Sequence, residues 1–451
     1  MMARFCEVSM VEHSAAPVPP SMADHPAAWI TLTTRILQHS AVAPEALAQG
    51  LAVAPHSPAM AAASGLMLML SGRREAMTEA AATLRAAERA LGLAASPSDH
   101  DAAFVRVLAL WRGGRPSAAA AVCDAILERW PADAMALKIG QAIRFIAGDT
   151  AGMLRSTAAA APGFADDHPH AGYVHGCHAF ALEETLHFDE AVTAGRSALR
   201  LAADDAWGLH ALAHVHEMTG TPHEGRALIA AHPGAYAGCS TFRHHVDWHA
   251  ALFEMELGDL DAALALYDTA VRAEPTDDYR DIANAVSLLA RLEGEGVDVG
   301  GRWEELADLS EKRAADACLT FADLHYLMAL LAAGRDAAAD AMVDRLAAKS
   351  DGTETGDVAY QVGSPAAAGL AAFRRGRFGA AVEALTTAQA GLSTIGGSHA
   401  QRDVFVRITI DAAMKAGHMR LARRLIRERG TTRGMDSFAI TRLAKCSGVT
   451  A

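Results

Sequence analysis

One signal recurs along most of this chain and limits what it can fold into. A short turn of glycine and polar residues is followed by a helix-forming stretch with small residues at spaced positions. It occurs as GGRPSAAAAV at Gly113, GDTAGML at Gly148, GTPHEGRAL at Gly220 and GDLDAALAL at Gly258. It returns as GRDAAADAM at Gly334, GRFGAAVEAL at Gly376 and GHMRLARRL at Gly417, and TLHFDEAVTAGRSAL from Thr185 fits the same template without the glycine. Successive starts lie about 35 to 42 residues apart, apart from one gap of about twice that, a spacing that stacks helix pairs rather than building one large core.

The double gap holds DYRDIANAVSLLARLEGEG, RWEELADLSEKRA and DLHYLMALLAAG, which read as one irregular repeat. The period, with small residues where paired helices touch, is that of tetratricopeptide repeats. Composition agrees, because alanine dominates, aromatics are 6% and alternating β-type segments are scarce. The expected fold is all-α: tetratricopeptide-like helix-turn-helix repeats forming an α-solenoid or superhelix. We expect a leader over 1–22, where APVPPS offers little to bury, a continuous repeat domain over 23–430, and a C-terminal segment over 431–451 ending in a short helix.

In the repeat from Phe188 to Gly220, Ala191 and Ala198 are expected inside the first helix, with Asp204 and Asp205 capping the second and Trp207 opening it. The next repeat starts a short helix at Pro222, loops through HPGAYAGC, and begins its second helix near Ser240 or Thr241.

Several function classes lose support. A net charge of −13 argues against a polyanionic partner, so nucleic acid is not expected. The arginines of MRLARRLIRERG, from Met419 to Gly430, read as a solvated helix face. The most apolar run, Met60 to Leu70, is about half the roughly 20 residues that span a bilayer, so it reads as a buried helix and no membrane partner is expected. Cys6, Cys123, Cys177, Cys239, Cys318 and Cys446 have no CxxC spacing and read as reduced thiols of a cytoplasmic protein. No GxGxxG follows a strand, and neither GxxxxGK[ST] nor GxSxG is present.

The middle third carries the chemistry. His210, His214 and Glu217 stand at i, i+4 and i+7 on one helical stripe, with His216 facing elsewhere. His245 and His249 repeat the i, i+4 spacing beside Trp248, and His175 and His178 lie in the preceding repeat. Equivalent helices of consecutive repeats lie side by side, so the two HxxxH pairs should be neighbours. Four imidazoles and a carboxylate suit a divalent metal held between helices, although HxxxHxHE is not the HExxH metalloprotease order. Histidines hydrogen-bonded as structural struts fit the same spacing.

Polar groups also interrupt later helices. Asp281, Asn284 and Ser287 share a face, Asp323 and His325 open a helix, and Ser398, Gln401, Arg402 and Asp403 form a helix start suited to an anion. Arg402 reads either as a carboxylate or phosphate clamp, or as one half of a structural Arg402–Asp403 ion pair.

Together DAWGLHALAHVHEM, HVDWHAALFEMELGDLDAALALYD, GVDVGGRW, DLHYLMAL and GGSHAQRDVF resemble, in that order, the blocks of the tetratricopeptide repeat protein 38 family. The resemblance runs from about Tyr173 to Arg427. It covers Asp205, Trp207, His210, His214, His216, Glu217, His245, Trp248, His249, Tyr267, Asp268, Arg302, Trp303, Asp323, His325, Ser398, Gln401, Arg402 and Asp403, while His244, Asp247 and His399 fall outside it and Asn284 stands where the family can show aspartate. It implies a helical repeat fold and no particular reaction.

The leading expectation is a protein that binds a peptide, another protein or a small polar molecule in a concave pocket. That pocket is lined by His210, His214, Glu217, His245, Trp248, His249, Asp323, His325, Gln401, Arg402 and Asp403. Two other readings stand beside it. One is an enzyme, with or without a metal on His210, His214, His245 and His249, in which His214 or His249 is a general base oriented by Glu217 or Asp323. The other is an interaction scaffold with structural histidines.

Overall fold

The computed structural model describes residues 26–94, 96–348 and 350–447. The leader expected over 1–22, and Cys6 with it, lies outside them. Among the described residues the chain is all-α, a succession of antiparallel helix pairs running from Pro26–Leu37 to Ser437–Cys446, with one isolated backbone bridge between Ser40 and Cys239. This is a tetratricopeptide-like solenoid. Among the described residues no helix is long and apolar enough to cross a membrane, and the Pro58–Met69 run packs as a mostly buried helix.

Each recurring turn launches the helix expected of it: Pro116–Arg129, Thr150–Ala160, Phe188–Leu201, Pro222–Ala231, Leu260–Leu266, Asp336–Ala347, Phe378–Gln389 and Met419–Arg433. The double gap contains Tyr279–Gly294, Arg302–Arg313 and Thr320–Ala332. Seven of the turns place a glycine at positive φ (Gly114, Gly148, Gly220, Gly258, Gly334, Gly376 and Gly417), closing the preceding helix in a left-handed conformation that costs glycine nothing. The eighth turn keeps the geometry without the glycine, and Leu186 takes φ 66°.

Small residues set the helix spacing. Ala191 and Ala198 are fully buried between Phe188–Leu201 and its neighbours, and Asp205 caps Ala206–Met218 by accepting from the Trp207 amide. Asp204 does not share the cap, because its carboxylate accepts from the Tyr173 hydroxyl and Gln38 Nε2 instead. Gly176 and Gly208 sit where Ala171–Glu183 crosses Ala206–Met218, and a Cβ on Gly176 would run into Asp205 Oδ2. That close approach carries the end of the Ala171–Glu183 helix towards the histidine-bearing helix.

The solenoid turns tightly enough for distant repeats to meet. Arg313 pairs with Glu75 and Asp277, Arg73 with Asp277, Arg402 with Glu184, and Arg433 with Glu217. The arginines of the Met419–Arg433 helix are therefore not all solvated as the charge pattern implied. Arg429 is enclosed by Asp403 and Asp436, and Arg433 is equally buried, because this helix packs inward on the middle repeats.

Leu186 is exposed, so its side chain contributes little there, while its left-handed backbone is disfavoured by about 1 kcal/mol or more. Leu186→Gly is therefore expected to stabilise the protein by about 0.5–1 kcal/mol in urea unfolding. A lower midpoint with unchanged m-value would contradict this account of the turn.

Candidate functional site: a buried histidine cluster

Two neighbouring helices build the cluster. Ala206–Met218 supplies His210, His214 and Glu217, and Phe242–Glu256 supplies His245 and His249. One ring nitrogen from each of the four histidines lies within 4.8 Å of those of the other three. Nε2 of His210 and Nε2 of His245 lie 2.9 Å apart. All four rings are buried.

The outer nitrogens are directed by groups from three helices. His245 Nδ1 lies 2.9 Å from Asn284 Oδ1, and His249 Nδ1 lies 3.1 Å from Glu217 Oε2. His214 Nδ1 stands 3.3 Å from Glu183 Oε2, outside hydrogen-bond alignment. An amide oxygen or a carboxylate at Nδ1 favours a proton there and leaves Nε2 with a free lone pair. His249 Nε2, both nitrogens of His214 and Nδ1 of His210 have no hydrogen-bond partner among the described residues. Buried nitrogens are seldom left this way in a merely structural cluster.

Charge follows the same geometry. Burial, then the neighbouring imidazoles, holds His210 and His245 well below 6.5, and burial and His214 bring His249 down to about 4. Burial also lowers His214, against the pull of Glu184 and Glu217. Burial alone would raise Glu217, but its hydrogen bond to His249 and the Arg433 charge hold it well below the usual carboxylate range. Glu183 goes the other way, pushed well up by burial and then by Glu184. Glu183, Glu184 and His214 themselves form a second group whose potential ligand atoms lie within 4.8 Å of one another.

The other expected residues do not join the cluster. His175 and His178 stay apart, with His178 against Thr157, and His216 turns to Thr221. Trp248 stacks on His245 with ring centroids 5.3 Å apart, but is fully buried. Asp323 is held bidentately by Arg345, which leaves it unable to orient His214 or His249. His325 packs against Phe321 and Phe405, with its Nδ1 on the Phe321 carbonyl.

The helix start at Ser398 is also already occupied. Ser398 and Gln401 form a capping box, the His399 amide donates to Glu184 Oε1 at 2.8 Å, and Arg402 pairs with Glu184 Oε2 at 3.5 Å. The anion expected at that helix start is the protein's own Glu184. Arg402 and Asp403 are not partners either, since Asp403 is bound by Arg407, Arg429 and Arg433.

Sequence reasoning missed Glu183, Glu184 and Lys138. The signal for each was a charged residue inside or ending an otherwise apolar helix, AGYVHGCHAFALE and AMALKIGQAIRFIA.

Beside the cluster lies a cavity of about 310 Å³, with His210 and His245 in its wall. Trp207, Phe145, Phe242, Phe321 and Tyr279 make much of its surface aromatic. Its size is that of a small-molecule site.

No family model matches the chain. The chain is similar to solved helical repeat structures: the human IFIT1 dimer with PPP-AAAA, at 15% identity over 96% of each chain and a TM-score of 0.40, and the same dimer with m7Gppp-AAAA, at a TM-score of 0.42. Another solved structure that the chain matches is Naa15/Naa10 bound to HypK-THB, at 12% identity over 94% of this chain and 77% of that one, with a TM-score of 0.20. One expectation is withdrawn on these findings. Both IFIT1 structures hold an oligonucleotide, and a nucleic-acid partner is not excluded by net charge. The physical reason is that net charge averages over the whole surface, whereas an anion is met by a few local cations.

The cluster histidines give a pH dependence. Their folded-state pKa values are depressed, so the unfolded chain takes up protons below about 6.5 that the metal-free fold refuses. Stability is full above that pH and is lost as pH falls through the window, each blocked site costing about 1 kcal/mol per pH unit. Urea midpoints of metal-free protein should therefore drop between pH 7.5 and pH 5.5. Midpoints that stay level across that range contradict buried neutral imidazoles.

Proposed function

We propose that this protein is a metal-dependent small-molecule-binding protein, with His210, His214, His245 and His249 holding a divalent transition-metal ion beside the aromatic-walled cavity. The carrying observation is the convergence of one nitrogen from each of four buried imidazoles, three of them backed by Glu183, Glu217 or Asn284. An oxygen acceptor behind a ligating histidine fixes the tautomer and raises the basicity of the inner nitrogen.

Four nitrogens about 2.0–2.1 Å from one ion stand about 3.3 Å apart in a tetrahedron and about 4.1 Å apart across a square plane. The present separations, 2.9 Å between His210 and His245 and at most 4.8 Å in the set, need only small side-chain shifts to reach either geometry. An imidazole set suits zinc, copper, iron or nickel rather than magnesium or calcium. A dication would also favour the charged form of Glu183, whose carboxyl burial and then Glu184 push up.

A small molecule fits this reading better than an extended peptide, because the inner face of the superhelix is crossed by the Arg402–Glu184 and Arg433–Glu217 pairs. The scaffold reading is less favoured, since struts require partners and several ring nitrogens have none. General-base catalysis by His214 or His249 would draw on Glu217 but not on Asp323, which Arg345 holds. We also infer kinship with the tetratricopeptide repeat protein 38 family from the ordered sequence blocks, and a cytoplasmic location from the unpaired Cys123, Cys177, Cys239, Cys318 and Cys446.

Elemental analysis by plasma mass spectrometry, after purification without chelator, tests the proposal. The expected result is about one equivalent of a first-row transition metal, lost in His214→Ala and His249→Ala. Glu217→Gln should keep the stoichiometry at saturating metal but weaken affinity by about 10–100-fold. Protein that holds no metal after reconstitution, and whose melting temperature is indifferent to added zinc, copper, iron or nickel, would overturn it.

A further inference from the structure

Lys138 is the odd residue of the cavity wall. It lies in the Ala134–Ala147 helix, is 6% exposed, and lines the aromatic-walled space. Its ammonium sits 4.1 Å from the centre of the Trp207 ring, a cation–π contact. Among the described residues no carboxylate stands within ion-pair distance of it and none hydrogen-bonds to it. Asp205, the nearest carboxylate to influence it, acts only at longer range. A buried lysine is nearly always paired, so an unpaired one facing a cavity marks a place where an anion arrives.

Other wall residues point the same way. Trp207 Nε1, Gln141 Oε1 and His39 Nε2 are buried polar atoms without a hydrogen-bond partner, and each belongs to a residue lining this cavity. Trp207 Nε1 can only donate, whereas Gln141 Oε1 can only accept. The remaining surface offers aromatic faces, including His39, which stacks on Trp207 and Phe242. A free inorganic anion would leave those faces unused, while an uncharged apolar molecule would leave Lys138 unpaired.

We propose that the cavity binds a small organic acid, an apolar-bodied carboxylate whose anionic head meets the Lys138 ammonium and whose body lies between the aromatic walls towards His210 and His245. That this acid is acted on at the histidine cluster rests on the proposed metal site. Its recognition by Lys138 does not.

Calorimetric titration of the full chain with 3-phenylpropanoate and its neutral isostere 3-phenylpropanamide tests the assignment. The acid should bind at least about tenfold more tightly than the amide, the effect expected of one desolvated charge-assisted hydrogen bond. Lys138→Met and Lys138→Gln should both abolish that preference while leaving metal content unchanged. Lys138→Met should also melt no lower than the parent, because it removes an unpaired buried charge. If one variant fails to fold, the other carries the test.

Protein stripped with a chelator separates this proposal from the metal reading. An acid preference retained without metal belongs to Lys138, even if the metal site fails. Equal binding of acid and amide by the parent protein overturns the proposal. So does an acid preference that survives both Lys138 substitutions and disappears with the metal, which would assign the carboxylate to the metal instead.

Discussion

Glu217 joins the histidine cluster to the last repeat, and much of the site depends on that one carboxylate. One oxygen meets His249 Nδ1 at 3.1 Å, and the other meets Arg433 at 3.1 Å. Arg433 belongs to a buried ion network with Asp403, Arg429 and Asp436. The orientation of the His249 imidazole is thereby tied to the Met419–Arg433 helix near the other end of the repeats. Truncating one member of such a network leaves the others as uncompensated buried charges, which is far more costly than breaking a surface pair. The superhelix closes on itself through groups that also fix the site.

A second closure backs the same cluster from the other side. Glu183 stands behind His214, and its neighbour Glu184 holds the helix start at His399 together with Arg402. Three segments far apart in sequence therefore deliver carboxylates and guanidinium groups to a few cubic nanometres. A plain assembly scaffold has no need of that concentration of buried charge, since apolar packing of the same volume is generally at least as stable. An array that holds buried polar groups at the expense of stability is what a functional site looks like in a repeat protein.

The repeat frame and both histidine stripes were legible in the sequence because they are local. A turn with Gly148 or Gly376, a cap such as Asp205, and the i, i+4 spacing of His245 and His249 each involve residues within one or two helical turns. Adjacency of the two stripes followed from consecutive repeats stacking. Asn284 was visible as a polar interruption, but not as the group behind His245. The partners of Arg402 and Asp403 were not legible, because they depend on how far the solenoid turns, which is the sum of many small helix crossings. Lys138 was hidden for a similar reason: its helix shows which face is buried, not that the opposing surface offers Trp207 and an open cavity.

The central claim is that the four imidazoles share one ion, and X-ray absorption at the edge of the bound metal tests it most directly. The expected spectrum has a first shell of light scatterers at about 2.0–2.1 Å, with the outer-shell multiple scattering of three or four imidazoles, reduced in His249→Ala. A shell of oxygen scatterers without the imidazole pattern, unchanged by that substitution, would place the metal elsewhere and leave the cluster as neutral histidines packed in the core.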